Sequence, residues 1–309
     1  MTLKTVGRHV GFVVKHHHAQ AAALAVQLAE FVLTQGRRAA TREVFFADES
    51  RSIAARVAAI PGIRKARIKV LPKAQLVDHC DLIIVLGGDG TFLSIARLMK
   101  SRSVPVMGVN MGQLGFLTEI KKSEAITAVA SILNGEKPVL SRRALLEVTV
   151  KRAGKTVFQG PVVNDAVISK GAIARIIGIR VCINGREVNQ IRADGVIVST
   201  PTGSTAYSLA AGGPIVEPSL GALVITAICP HALTQRPMVI NDDSVVEMCL
   251  QHRPGHVLLT LDGQDVVDLK EGDLVSIRRF KKHDLQTICA PERDYFELLR
   301  EKLKFGHRE

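Results

Sequence analysis

Two domains of different class are predicted. Residues 1–140 read as an α/β domain with a Rossmann-like, doubly wound parallel sheet. Residues 141–285 read as an all-β sandwich, and 286–309 as a segment whose helix packs back on the first domain. Three observations carry this. Early in the chain, apolar runs of strand length alternate with stretches of helical spacing, as in a parallel sheet with crossover helices. After Asn134-Gly135-Glu136-Lys137-Pro138 the helices give way to short strand-like runs separated by turn signals. Between them, the buried run Asp81 to Leu86 enters Gly87-Gly88-Asp89-Gly90-Thr91 and then a helical pattern.

In order, His9 to Val14 reads as a strand and Ala19 to Leu33 as a helix that Gly36 ends. Glu43 to Phe46, Arg67 to Val70, Asp81 to Leu86 and Val104 to Val109 read as strands. Ser50 to Ile60, Lys73 to Val77, Thr91 to Lys100 and Ser123 to Leu133 read as helices. The second domain supplies strands at Ala144 to Val150, Val162 to Ser169, Arg175 to Ile183 and Gly195 to Thr200. Further strands follow at Leu223 to Ile228, Val245 to Leu250, Val257 to Leu261 and Leu274 to Arg279. Asn184-Gly185 marks a tight hairpin turn. Glu292 to Leu303 returns to helical spacing.

With 309 residues, 47 % hydrophobic and 23 % charged, the chain has ample core for two globular domains. No apolar run approaches the roughly 20 residues of a membrane span, and Arg8, His9 and Lys15 interrupt any signal-peptide core. The five cysteines are scattered, never spaced as metal pairs, and read as reduced, mostly buried thiols of a cytoplasmic protein. A net charge of +12 calls for polyanionic partners. Nucleic acid fits poorly, because aromatics are 4 %, Trp is absent and stacking platforms are scarce. No nucleic-acid or membrane partner is expected; a nucleotide- and phosphate-handling enzyme accounts for the charge equally well. His16-His17-His18 reads as a loop of solvated imidazoles with at most weak metal affinity.

A strand that ends in a glycine turn and opens a helix is an anion site, because backbone N–H groups and the helix dipole face the ligand. Gly87, Gly88, Gly90 and Thr91 are the candidate phosphate-binding residues. Asp89 would repel phosphate unless it holds a metal ion or takes a proton from a hydroxyl being phosphorylated. The bland alternative is an N-cap on an ordinary strand-to-helix turn. A Walker loop is excluded, since Thr149 stands where Gly154-Lys155-Thr156 would need its first glycine. Leu93 likewise breaks the dinucleotide glycine pattern. The loop from Asn110 to Phe116 follows the next strand at the same sheet edge, so two glycine loops frame a cleft. A second dense stretch, Ser199 to Ser208 followed by Gly212-Gly213-Pro214, suits either ligand-binding hydroxyls or a long turn that caps its own backbone.

Together these motifs resemble the NAD kinase family. The resemblance rests on Gly-Gly-Asp-Gly-Thr at 87–91, on Asn110-Met111-Gly112 with Leu114-Gly115-Phe116-Leu117-Thr118, and on Asn164-Asp165. The run from Asp194 through Tyr207 to Ile215 completes it. It covers nearly the whole chain after residue 80. The first motif is shared with phosphofructokinases and lipid kinases; the Thr/Ser/Gly run is specific. It implies phosphoryl transfer from ATP, with polyphosphate as an alternative donor, to the adenosine ribose 2′-hydroxyl of NAD. Mg2+ or another divalent metal would assist, with no protein ligand assigned.

The resemblance makes Asp89 the general base or hydroxyl-orienting acid, with Gly90 beside it. Asn164 and Asp165 would contact adenosine and ribose, although the family usually has Glu at the second position. Arg175, Arg192 and Asp194 would hold the dinucleotide. Thr205, Ala206, Tyr207, Ser208, Leu209 and Ala210 would wrap its bases, with Tyr207 stacking, and Gln264 is a late contact. A homodimer or homotetramer is implied. A lipid kinase, a non-catalytic dinucleotide sensor and a nucleic-acid binder are the rivals. The first lacks a basic amphipathic helix, the second would be expected to lose Asp89, and the third would bind DNA with steep salt dependence.

Overall fold

The computed structural model describes residues 6–36, 39–171, 176–252, 255–290 and 293–304. The chain divides into two units, 1–142 with 285–309, and 143–284.

In the first unit the order is β1 (His9–Val14), α1 (Ala19–Thr34), β2 (Glu43–Ala47), α2 (Arg51–Ala58), β3 (Ile68–Leu71) and α3 (Lys73–His79). Then come β4 (Leu82–Gly87), α4 (Asp89–Ala96), β5 (Val106–Asn110), the two-residue β6 (Ile120–Lys121), α5 (Ala125–Leu133) and β7 (Leu140–Arg143). The sheet runs β3-β2-β1-β4-β5, with β6 alongside the end of β5, and β1 to β6 are parallel. The order of the strands reverses between β1 and β4, which is the switch point where such sheets bind ligands. One face packs Phe12, Phe46, Ile84 and Met107 against α1, α2 and α5. On the other face α3 brings His79 over Phe45, and Cys80 crowds Gly11 so closely that no Cβ would fit there.

The second unit holds β8 (Leu146–Arg152), β9 (Lys155–Val162), β10 (Asp165–Lys170), β11 (Ile177–Ile183), β12 (Arg186–Ala193), β13 (Gly195–Ser199) and the short α6 (Tyr207–Ala210). It continues through β14 (Ala222–Ile228), β15 (Met238–Asn241), β16 (Val246–His252), β17 (Val257–Leu261), β18 (Asp265–Leu269) and β19 (Leu274–Arg279). Two antiparallel sheets, β15-β14-β13-β10-β17-β18 and β12-β11-β16-β19-β8-β9, share one core. Val148, Ile179, Met248 and Ile277 meet Ile168, Val196, Ile225 and Leu259 there. Three hairpins turn on residue pairs with positive φ, Ala153-Gly154, Asn184-Gly185 and Asp262-Gly263, as type I′ turns require.

The chain then re-enters the first unit. β20 (Leu285–Ile288) pairs parallel with β5 and lies beside β7. α7 (Tyr295–Leu303) starts at a capping box of Asp294 and Glu297.

Several expectations need correction. The helix expected from Thr91 begins at Asp89 and ends at Ala96, because Gly88 is its N-cap. The single strand expected over Val162 to Ser169 is two, broken at Val163 and Asn164. The cysteines are not mostly buried: Cys80 is, Cys182, Cys249 and Cys289 are half-buried, and Cys229 is exposed. Cys182 and Cys249 sit on strand positions whose neighbours Val181 and Met248 take the core side. His18 is no free loop imidazole, since its Nδ1 accepts the Ala21 N–H at 3.2 Å and caps α1. No helix among the described residues is long and apolar enough to cross a membrane.

Candidate active site

β4 is buried throughout and delivers Gly87 to the carboxyl edge of the sheet. A Cβ on Gly87 would lie 2.5 Å from Thr91 Oγ1, so the turn closes only around glycine. At Gly88 and Gly90 a Cβ would meet nothing within 4 Å. Those two glycines answer no crowding inside the unit, and the missing side chains allow a ligand to come close.

Asp89 turns its carboxylate into the loop after β5. Oδ2 accepts the Phe116 N–H at 2.9 Å. Oδ1 accepts the Leu117 and Thr118 N–H groups, both at 3.1 Å, and the Thr118 hydroxyl at 3.0 Å. Asn110 Nδ2 donates to Thr118 Oγ1 at 3.2 Å and to the Gln113 carbonyl at 2.5 Å, and Asn110 Oδ1 accepts the Gly112 N–H at 2.7 Å. A side chain on Gly115 would overlap the Asp89 carboxylate and Thr118 Oγ1. A carboxylate offers about four acceptor positions. Oδ1 uses three contacts and Oδ2 one, so Oδ2 is the oxygen with capacity for a further donor. From outside, α7 braces this loop: the Tyr295 ring lies 6.5 Å from Phe116, Lys302 Nζ lies 6.0 Å over the Phe116 ring, and Arg293 donates to the Glu119 carbonyl. Asn110, Gly115 and Thr118 belong to the motif the sequence singled out, but their orienting roles emerge only from the folded loop.

In the β unit the break between β9 and β10 is imposed by Asp262. Its carboxylate accepts the N–H groups of Val163 at 2.9 Å, Asn164 at 2.7 Å and Asp165 at 3.2 Å, while its own N–H donates to the Asp165 carbonyl. Three successive donors are thereby turned away from the β ladder. Asp165 is 4 % exposed, and no hydrogen bond from the described residues reaches its carboxyl. Burial, and secondly the charge of Asp262, push that carboxyl up to about 7. Thr202 Oγ1 is also buried without a partner among the described residues. A buried hydroxyl without a partner is a group that a polar ligand can satisfy.

The hydroxyl-rich stretch mostly holds itself. Thr200 Oγ1 donates to the Val163 carbonyl at 2.6 Å and accepts the Gly203 N–H, Ser204 Oγ accepts the Val216 N–H, and Ser208 pairs with Thr226. Gly203 lies so close to the Asn164 carbonyl that no Cβ fits. Ser208 is therefore inside the loop, whereas Ala206, Tyr207 and Ala210 are exposed and Thr205 and Leu209 half-buried. Tyr207 is 47 % exposed. Gln264 follows the Asp262-Gly263 turn, its N–H on the Leu261 carbonyl.

Arg192 and Asp194 stand apart from this group. Asp165 faces Ser199 across the β10/β13 pair, while Asp194 meets Lys170 at the other end, Oδ1 to Nζ 2.9 Å. Five residues of strand put about 16 Å between those ends. Arg192 lines a cavity of about 380 Å³ with Asn189, Gln235 and Arg236. Arg175 lies outside the described residues.

Two family models match the chain: the ATP-NAD kinase N-terminal domain over residues 10–137 and the ATP-NAD kinase C-terminal domain over 163–288. The NAD kinase of Geobacter sulfurreducens is 49 % identical over 228 residues, 74 % of this chain and 80 % of that one. That of Geotalea daltonii is 47 % identical over 234 residues, 76 % and 82 % of the two chains. The Koribacter versatilis NAD kinase is 41 % identical over 267 residues, 86 % and 89 %. Among solved structures, yeast NADH kinase complexed with NADH superposes with a TM-score of 0.88 at 24 % identity, covering 98 % of this chain and 89 % of that one. An Archaeoglobus fulgidus NAD kinase in complex with ATP gives 0.67 at 22 %, covering 95 % and 99 %. At those identities the two structures speak for the fold alone.

Proposed function

The chain belongs to the ATP-NAD kinase family, and from that premise we propose that Asp89 receives the proton of the NAD adenosine 2′-hydroxyl as it attacks the γ-phosphorus of ATP. The observation that carries this is the Asp89 carboxylate at the ligand edge of the sheet, fixed by four hydrogen bonds with Oδ2 unsaturated.

A secondary hydroxyl is far too weak an acid for Asp89 to ionise it beforehand. The proton therefore moves to Oδ2 late, as the new O–P bond forms and the bond to the departing ADP oxygen breaks. Positioning supplies much of the rate, and four hydrogen bonds on one carboxylate are a positioning device. The backbone at Gly88, with the start of α4, stabilises charge on the phosphates. Among the described residues no three His, Cys, Asp or Glu side chains converge on a metal cage. A Mg2+ ion brought in with ATP would need no such cage and would spread the charge of the transferring group.

In the β unit, Asn164 and Asp165 take the adenosine ribose and Tyr207 lies against a base. The Asp165 carboxyl hydrogen-bonds a ribose hydroxyl; being one methylene shorter than Glu, it does so through a longer or water-bridged bond. Arg192 and Asp194 serve the distal end of the dinucleotide. A homodimer or homotetramer in the cytoplasm completes the reading; sedimentation at micromolar concentration tests the assembly.

The function itself is tested by NADP formation from ATP, Mg2+ and NAD with purified protein, read by an NADP-specific dehydrogenase. ATP-dependent NADP production supports it, and its absence with fully folded protein contradicts it.

A further inference from the structure

Strands β1, β2 and β3 carry two side-chain triads of identical composition, one towards each end of the sheet. Towards the amino edge Glu43 joins His9 (Nε2 to Oε2, 3.7 Å) and Lys69 (Nζ to Oε1, 3.2 Å). At the carboxyl edge Glu49, beyond β2, joins His16, beyond β1 (3.6 Å), and Lys73, beyond β3 (2.5 Å). The chemistry is the same and the surroundings differ. Lys69 is 46 % exposed at its side chain, and Lys73 is 22 % exposed. Lys73 Nζ also lies 3.4 Å from Ser94 Oγ on α4, and that hydroxyl donates to the Thr91 carbonyl at 2.7 Å. The ammonium is thus one hydroxyl removed from the Gly87–Thr91 turn.

A half-buried ion pair is a weak stabiliser, because desolvation offsets the attraction. Stability alone therefore gives little reason for an ion pair at this edge. The strand order reverses between β1 and β4, and the Lys15 N–H donates to the Leu86 carbonyl at 2.8 Å, which ties the loop after β1 to the strand that ends in the turn. Lys15, His16, His17, His18, Asp48 and Glu49 in the segments after β1 and β2, with Lys73 at the start of α3, are the charged and titratable groups gathered there. Phosphoryl-transfer enzymes of other folds hold a phosphate-binding lysine ready by a Lys–Glu pair.

We propose that Lys73, aimed by Glu49 and Ser94, binds the terminal phosphates of the phosphoryl donor as it lies against the Gly87–Thr91 turn. The ligand is a chain of anhydride-linked phosphates, whether of a nucleoside triphosphate or of inorganic polyphosphate. The inference rests on the NAD kinase reading and adds to it the residue that grips the donor.

The test compares Lys73→Ala with Lys69→Ala, the chemically matched pair towards the opposite end. Two readouts are taken: the KM values for ATP and NAD, and calorimetric titration of inorganic tripolyphosphate without NAD. Loss of one charge-assisted phosphate contact predicts a KM for ATP raised about 10-fold or more in Lys73→Ala, with the KM for NAD within about twofold. Lys73→Arg keeps most of the affinity, Ser94→Ala gives a smaller shift in the same direction, and Lys69→Ala changes neither constant. Weaker tripolyphosphate binding in Lys73→Ala extends the contact to polyphosphate; a shift confined to ATP assigns it to the nucleotide donor. An unchanged KM for ATP in Lys73→Ala overturns the proposal, as does a Lys69→Ala variant that loses as much. A wild type that makes no NADP overturns the family reading instead, and the tripolyphosphate titration of the Lys73 variants then decides the site alone.

Discussion

In the α/β unit the Asp89 carboxylate gathers the N–H groups of Phe116, Leu117 and Thr118, and in the β unit Asp262 gathers those of Val163, Asn164 and Asp165. The device is the same, a single carboxylate answering three consecutive backbone donors. The setting differs. Asp89 is half-exposed at a ligand edge and keeps an oxygen with capacity to spare. Asp262 is buried, sits at a left-handed backbone position and has another carboxyl beside it. In the first unit the amides aim the acid; in the second the acid aims the backbone. One local geometry therefore carries opposite directions of control, and only the exposure of the carboxylate tells them apart.

The comparison breaks first at Asp89. Asp89→Asn is expected to lower kcat on the order of 10²-fold or more, as for removal of a general base, with NAD affinity little changed. Titration calorimetry beside steady-state kinetics checks it, and a near-normal kcat would remove the proton-accepting role. Gly115→Ala should come next. The methyl group has no room beside Asp89, so the loop must shift, and a displacement near 1 Å costs up to about 10²-fold in rate.

Asp262→Ala should act on stability before chemistry. It leaves backbone donors at 163–165 without their acceptor, at a cost of about 1–3 kcal/mol for each buried group left unsatisfied. Chemical denaturation reads that loss; an unchanged midpoint would show the clamp to be dispensable. The neighbouring Asp165 gives the comparison a pH signature. Its folded-state value of about 7 lies above the ordinary 3.8, so between those values the folded state holds a proton that the unfolded state lacks. Stability from this group is complete below about pH 4 and is lost as pH rises through about 7, with a limiting slope of about 1.4 kcal/mol per pH unit. Thermal melts of wild type and Asp165→Asn at pH 5 and 8 should therefore differ in slope, the variant being flatter; parallel slopes would mean that Asp165 titrates normally. The smallest effect belongs to Tyr207→Ala. Loss of one stacking face, worth about 0.5–1.5 kcal/mol, should raise the KM for NAD by two- to tenfold and leave that for ATP unchanged. Equal shifts in both constants would take Tyr207 out of the dinucleotide pocket.

The parts of this account legible in the sequence are those written locally. Gly87 to Thr91 reads as an anion turn because strand end, glycines and helix start lie within a few residues, and Asn184-Gly185 fixes a hairpin by itself. The clamps were not legible, because Asp89 finds its donors 27 to 29 residues away and Asp262 finds its own 97 to 99 away. β20 was missed for the same reason: four residues, Leu285 to Ile288, take on strand form beside β5 and β7, far earlier in the chain. β12 is hidden because polar residues dominate its exposed length, and β18 because the adjacent Val266 and Val267, the first of them exposed, break the alternation. The hydroxyl stretch left two readings open, and its side chains satisfy mostly their own loop; composition reveals the density of hydroxyls but not the direction they face.

The central claim is that the loop after β5 contributes to catalysis by aiming Asp89. A double-mutant cycle on kcat tests it most directly, with wild type, Asp89→Asn, Gly115→Ala and the double variant measured at saturating ATP and NAD. The account predicts that Gly115→Ala is costly in the wild type and nearly silent once residue 89 is Asn. The same loss in both backgrounds would contradict it.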